Sequence, residues 1–210
     1  MNVRAYGRTA VLVELDSVDD AAALHARLTA PGGATVHGLV ETMPGLRTVL
    51  IRFDPALTDR TRLGQRLREV WGEPAVNSEV ADHTGDAVCL RVDYTGPDLD
   101  DVARHTGLTP AEVVAAHLAR HYRIVLIGLA PGFYFLAGGD PRLRVPRRSS
   151  PRVDVPKGAV GLAGELTGIY PRTGPGGWQL IGRVIEELWH PTRLPAALLT
   201  PGTTIRFTAA

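Results

Sequence analysis

Residues 167–183 read TGIYPRTGPGGWQLIGR, and the second half of the chain is understood through them. The stretch holds five glycines and two prolines, yet also Ile169, Tyr170, Trp178, Leu180 and Ile181. Linkers are Gly-rich and polar, and helix interiors tolerate neither glycine nor proline well. Short apolar pieces cut by Gly and Pro are the pattern of short, frequently turning strands in a closed or nearly closed β-barrel. Glycine in such strands permits bulges and close backbone approach.

The same texture extends outward. After Pro131 helical periodicity nearly vanishes, and strands are expected near 132–136, 158–163, 178–185 and 203–208. Upstream, Val88, Leu90, Val92 and Tyr94 alternate with Cys89, Arg91 and Asp93, which predicts a strand. A short helix near 98–105 follows. Thr109, Pro110 and Glu112 then form a strong helix start, since Thr can cap, Pro suits the first turn and Glu can reach back. That helix carries Val113, Val114, His117 and Leu118 on one side and leads into the apolar strand YRIVLIGLA.

The first half reads differently. TAVLVEL (9–15) is a strand, and 17–29 is a helix capped by Ser17, with Ala21, Leu24, His25 and Leu28 on its buried face. Strands are expected at 34–40 and 47–53, and a helix at 58–71 with Leu63, Leu67, Val70 and Trp71 as its stripe. This order predicts a small α+β sandwich with helices on one sheet face. The polar, turn-rich stretch 72–86 marks a boundary, giving an α+β domain over 1–80 and a β-barrel domain over 86–210.

Composition bounds the function. With 23 basic and 22 acidic residues the formal charge is +1, so no global field draws the chain to nucleic acid or an anionic membrane. No apolar run approaches the roughly 20 residues that span a bilayer, and no signal-like segment opens the sequence. The expected location is cytoplasmic. One cysteine, Cys89, excludes an internal disulfide.

Motifs carry the rest. HLARH (117–121) spaces two histidines four apart, but the metalloprotease pattern needs Glu where Leu118 stands, and no metal site is expected. His117 reads either as a packed core residue or as a polar group in a pocket. Arg142, Arg144, Arg147, Arg148 and Arg152 crowd a Pro-rich loop that can hold an anionic substrate or simply balance acids elsewhere. Phe133, Tyr134 and Phe135, framed by glycines, read as core or as the wall of a pocket. No Walker A or GxGxxG pattern occurs, and no nucleophile–base pair stands out.

The run from Pro131 to Arg183 contains PGF, DPRL, PRR followed by PR, VPKGAVG, TGIYP and PGGWQLIGR, in that order. These words resemble the KipI family, also called allophanate hydrolase subunit 1 or the 5-oxoprolinase B-type subunit (PxpB). The resemblance implies a cyclophilin-like barrel for the second domain. It implies a subunit of an ATP-dependent 5-oxoprolinase that opens 5-oxo-L-proline to L-glutamate with a KipA/PxpC-type and a LamB/YcsF-type partner, with ATP shared with a partner subunit. A KipI-like inhibitor of a sensor histidine kinase and an allophanate or urea-amidolyase-related hydrolase subunit are the alternatives. Carried onto this chain, it implies Arg147, Arg148 and His117 as catalytic residues. It further implies Phe133, Thr167, Gly168, Tyr170, Gly176, Gly177 and Gln179 around the substrate. Two departures stand out: Glu165-Leu166 replaces the family's Gly-Gln, and Tyr134-Phe135 replaces Pro-Tyr. An acid in place of glycine beside a pocket repels an anionic substrate.

Overall fold

The computed structural model describes residues 1–29, 34–73 and 87–210. The chain divides into two compact units, Met1–Asp82 and His83–Ala210. Of the boundary expected at 72–86, residues 74–86 lie outside the described ones.

The first unit runs β1 (Asn2–Tyr6), β2 (Ala10–Glu14), α1 (Val18–Thr29), β3 (Leu39–Pro44), β4 (Thr48–Phe53) and α2 (Arg60–Gly72). Its strands form one antiparallel sheet in the order β1-β2-β4-β3. Alternation sends Val11, Val13, Val49, Ile51 and Phe53 to one face, where they meet Ala21 and Leu24 of α1 and Leu63, Leu67 and Val70 of α2. Both helices begin on side-chain caps. Ser17 Oγ accepts from the Asp20 amide at 3.1 Å, and the Asp59 carboxylate accepts from the amides of Thr61 and Arg62. Two strands differ from expectation, and both are edges. β1 is almost wholly exposed, so it carries no apolar alternation to read. β3 lies at Leu39–Pro44 rather than 34–40, with a bulge between Leu39 and Glu41 that breaks its period.

The second unit runs β5 (Val88–Asp93), α3 (Leu99–Thr106), α4 (Pro110–Leu118), β6 (His121–Ile127), β7 (Tyr134–Ala137), β8 (Arg152–Val155), β9 (Ala159–Ala163), β10 (Leu166–Ile169), β11 (Gly174–Gly176), β12 (Gln179–Val184) and β13 (Thr204–Ala209). Seven of these strands close a barrel in the order β10-β7-β6-β13-β5-β12-β9, and pairing of β9 with β10 shuts it. The α+β class and the barrel expected from the Gly-rich texture are therefore both present. β5 and β13 pair in parallel. The interior holds Leu90, Val92, Ile124, Leu136, Val160, Leu162, Ile169, Ile181 and Phe207, joined by Val102 of α3 and Val113 and Ala116 of α4. The Thr109–Glu112 capping box starts α4 as read from its sequence. β8 and β11 form a separate two-stranded ribbon. With β10 they are three or four residues long, too short for periodicity to announce. Among the described residues no helix is long and apolar enough to cross a membrane.

Candidate functional site

The arginine loop is organised by a residue outside it. Asp98 precedes α3 and is only 1% exposed. Its carboxylate accepts from Arg148 Nη1 at 2.6 Å, from Arg152 Nη1 and Nη2 at 2.8 and 2.7 Å, and from the Leu180 amide at 2.7 Å. The Asp98 amide returns a bond to the Leu180 carbonyl at 2.9 Å, beside a bulge in β12. Burial pushes the Asp98 carboxyl up. The Arg152 hydrogen bonds, the Leu180 amide and the two guanidinium charges outweigh that and hold it below the ordinary carboxylate value. Arg148 is thus committed to an internal ion pair, and its amide also donates to the Gly177 carbonyl at 2.8 Å. Gln179 Nε2 reaches the Pro146 carbonyl at 3.3 Å. The loop from Pro146 to Arg152 is consequently tied down at both ends.

Arg147 has the opposite character. It is exposed, and its guanidinium stands 5.8 Å from the Trp178 ring centroid. Beneath it lies a buried aromatic cluster. Phe133 packs on Phe135, Tyr170 and Trp178 with centroids 4.7, 4.8 and 5.9 Å apart. From Phe133 into β7 the residues alternate: Tyr134 and Leu136 belong to the barrel core, Phe133 and Phe135 to this second layer. That layer explains why every residue of β9 is buried.

The glycines of residues 167–183 now have a reason. A Cβ on Gly168 would lie 2.9 Å from Trp178 Cζ3 and 3.0 Å from Phe133 Cζ. A Cβ on Gly176 would meet the Tyr170 hydroxyl at 2.2 Å. The stretch is apolar because it supplies the rings, and Gly-rich because the rings lie directly on backbone. Burial pushes the Tyr170 phenol up, opposed by the Arg147 charge nearby.

The structure gathers Arg147, Arg148, Phe133, Gly168, Tyr170, Gly176, Gly177 and Gln179 around this loop and cluster. Two expected residues sit elsewhere. Thr167 is buried beside the Tyr122 hydroxyl. His117 is 0% exposed, stacked on Phe207 with centroids 4.6 Å apart, and its Nδ1 lies 2.7 Å from the Tyr94 hydroxyl. Burial lowers its pKa to about 3, so it is a neutral imidazole closed off from solvent. A catalytic role for it finds no route to a substrate, because the core that makes α4 pack also seals it. His121 starts β6 and is exposed, so the two histidines of HLARH do not share a face. Glu165 is exposed at the tip of the β9–β10 hairpin, next to Gly164, which bridges Val145. Sequence reasoning missed Asp98, since an acid before a helix reads as a cap.

A family model described as "Carboxyltransferase domain, subdomain C and D" matches residues 1–199. The 5-oxoprolinase B-type subunit of Escherichia coli O157:H7 is 37% identical over 207 residues, covering 96% of this chain and 92% of that protein. The protein of the same name from Bacillus subtilis is 35% identical over 184 residues, covering 81% and 75%. The crystal structure of TTHA0988 superposes with a TM-score of 0.73 at 34% identity; it covers 96% of this chain, which spans only 40% of that one. The chain belongs to the carboxyltransferase family of subdomains C and D, within its KipI/PxpB group of 5-oxoprolinase B-type subunits.

Proposed function

We propose that this chain is one subunit of a cytoplasmic, ATP-dependent 5-oxoprolinase. It opens 5-oxo-L-proline to L-glutamate together with a KipA/PxpC-type and a LamB/YcsF-type subunit. The observation that carries this reading is near-full-length similarity to proteins named as the B-type subunit of 5-oxoprolinase. A lactam is a poor electrophile, and phosphorylating its oxygen from ATP makes the ring carbon reactive. Such a step asks for positioning and charge stabilisation rather than a local nucleophile. The Asp98-anchored loop supports this, because it holds Arg147 exposed on a rigid aromatic base while Arg148 serves the loop itself. Arg147 is the residue we assign to the anionic reactants, with ATP shared with a partner subunit.

The test is 5-oxoproline-dependent ATP hydrolysis by the chain alone and mixed with the two partner subunits. Turnover only in the mixture is expected, and Arg147→Gln lowers kcat/KM there by about 100-fold. An assembled complex that hydrolyses no ATP with 5-oxoproline refutes the reading. One feature favours a different amide substrate: Glu165 is exposed, an acid at the place where the family pattern that the sequence resembles has glycine. The same assembled complex tested with allophanate decides between them.

A further inference from the structure

A cavity of about 370 Å³ lies in the first unit, between the start of α2 and the segment that leads into β3. Its lining includes Thr35, His37, Leu57, Thr58, Arg62 and Arg66, and none of the described residues that line it is an acid. It shares no residue with the arginine loop or the aromatic cluster.

Its walls are held in place. The His37-Gly38 turn lies directly on the turn before α2: Gly38 has φ +75°, and a Cβ there would come to 2.8 Å from Thr58 Cγ2. The Asp54 amide donates to the Gly38 carbonyl at 2.8 Å, and the amides of Leu57 and Thr58 donate to the Asp54 carbonyl at 3.1 and 3.0 Å. Arg66 Nε donates to the Thr35 carbonyl at 3.3 Å and so ties that segment to α2. The core residue Leu63 completes the lining from α2. Preorganised walls of this kind lower the ordering cost of binding.

Two arginines line the cavity, and only one is committed. Arg66 is held by Glu69 at 3.3 Å and by Glu73 at 2.9 Å, neither of which lines the cavity. Arg62 Nε comes to 3.5 Å from Asp59 without a hydrogen bond; both side chains are largely exposed, and such a pair is weak in water. Asp59 is itself occupied as the cap of α2, accepting from the amides of Thr61 and Arg62. The hydroxyls of Thr35 and Thr58 and the ring of His37 make no hydrogen bond to any described residue. The unspent polar groups are therefore one guanidinium, two hydroxyls and one imidazole, with no acid among them. A carboxylate ligand offers two oxygens to such a set, whereas a phosphomonoester offers three and matches the arginine fork as well. Leu57, 51% exposed, and the half-buried Val36 add an apolar wall. The volume lies at the low end of the roughly 300–1,000 Å³ of small-molecule pockets, which calls for a compact ligand.

We infer that this cavity binds a compact phosphomonoester, its phosphate on Arg62, Thr35, Thr58 and His37 and its apolar group against Leu57 and Val36. The test titrates phenyl phosphate, inorganic phosphate and benzoate into the isotopically labelled full chain. The amide signals of His37 and Thr58 are followed by NMR, and both shift with phenyl phosphate. Inorganic phosphate, which lacks the ring, and benzoate, which lacks the phosphate, each bind about tenfold more weakly. Arg62→Gln weakens phenyl phosphate binding about tenfold. Arg68→Gln, which removes an exposed arginine of the same helix outside the cavity, leaves it unchanged. Absence of shifts at His37 and Thr58, or undiminished affinity in Arg62→Gln, overturns the inference. An equal loss in Arg68→Gln does so too, because it reduces the effect to attraction by a basic helix. Benzoate binding as tightly as phenyl phosphate removes the phosphate from the reading and overturns it as well.

Discussion

Asp98 is the residue on which most of the arginine loop depends. Four hydrogen bonds end on its buried carboxylate, two of them from the Arg152 fork. Asp98→Asn leaves two guanidinium groups facing an amide, and breaking a buried pair in this way costs about 3 kcal/mol. Urea denaturation measures the loss, and a double-mutant cycle with Arg152→Met returns a positive coupling between the two residues. His117 sets a second expectation. Its folded pKa is lowered to about 3, while an unfolded histidine titrates near about 6.5. Between those values the unfolded chain binds a proton that the folded chain does not. The stability from neutral His117 is complete above about pH 6.5 and is lost as pH falls towards 3. Stability measured along that range falls in the native chain, and His117→Phe flattens this part of the slope. The residue scale is where the sequence was least legible. His117 and Asp98 carry polar types whose partners, Tyr94 in one case and Arg148, Arg152 and Leu180 in the other, lie on distant segments.

At the scale of elements, legibility followed burial and length. β2, β4, α1, α2, β5 and α4 could be read because each buries a regular face or opens on a side-chain cap. β1 and β3 are exposed edges, and β8, β10 and β11 are too brief for any period to repeat. β10 was hidden for a further reason: its glycine is spent on the rings above it. Gly168→Ala drives a methyl group against Trp178 and Phe133 and costs about 1–3 kcal/mol. Thermal unfolding reports the loss, and the near-ultraviolet dichroism of Trp178 reports the disturbed ring. The β9–β10 hairpin gives the contrasting case. Glu165 is exposed at its tip, so Glu165→Gly changes stability by less than about 0.5 kcal/mol. Where that tip faces an anionic substrate, kcat/KM of the assembled enzyme rises in the same variant.

For the whole molecule, the α+β class followed from a change of texture along the chain, and the barrel from the Gly-rich strands. The pairing that closes it was not readable. β13 lies between β5 and β6, parallel to one and antiparallel to the other. Nothing in residues 204–209 names those partners, because β-pairing at such separations is set by the shape of the finished core. Deleting residues 203–210 is expected to leave β5 and β6 with open edges, so that the second unit loses cooperative unfolding and elutes as aggregate in size-exclusion chromatography. The placement of β13 also has a consequence for synthesis. The first unit can fold while the ribosome is still translating, since all its strands lie before residue 54. The barrel cannot, because the strand joining its opening and middle segments emerges after every other one. During that interval β5 and β6 wait with unpaired backbone, and this unit is where a nascent chain most needs a chaperone.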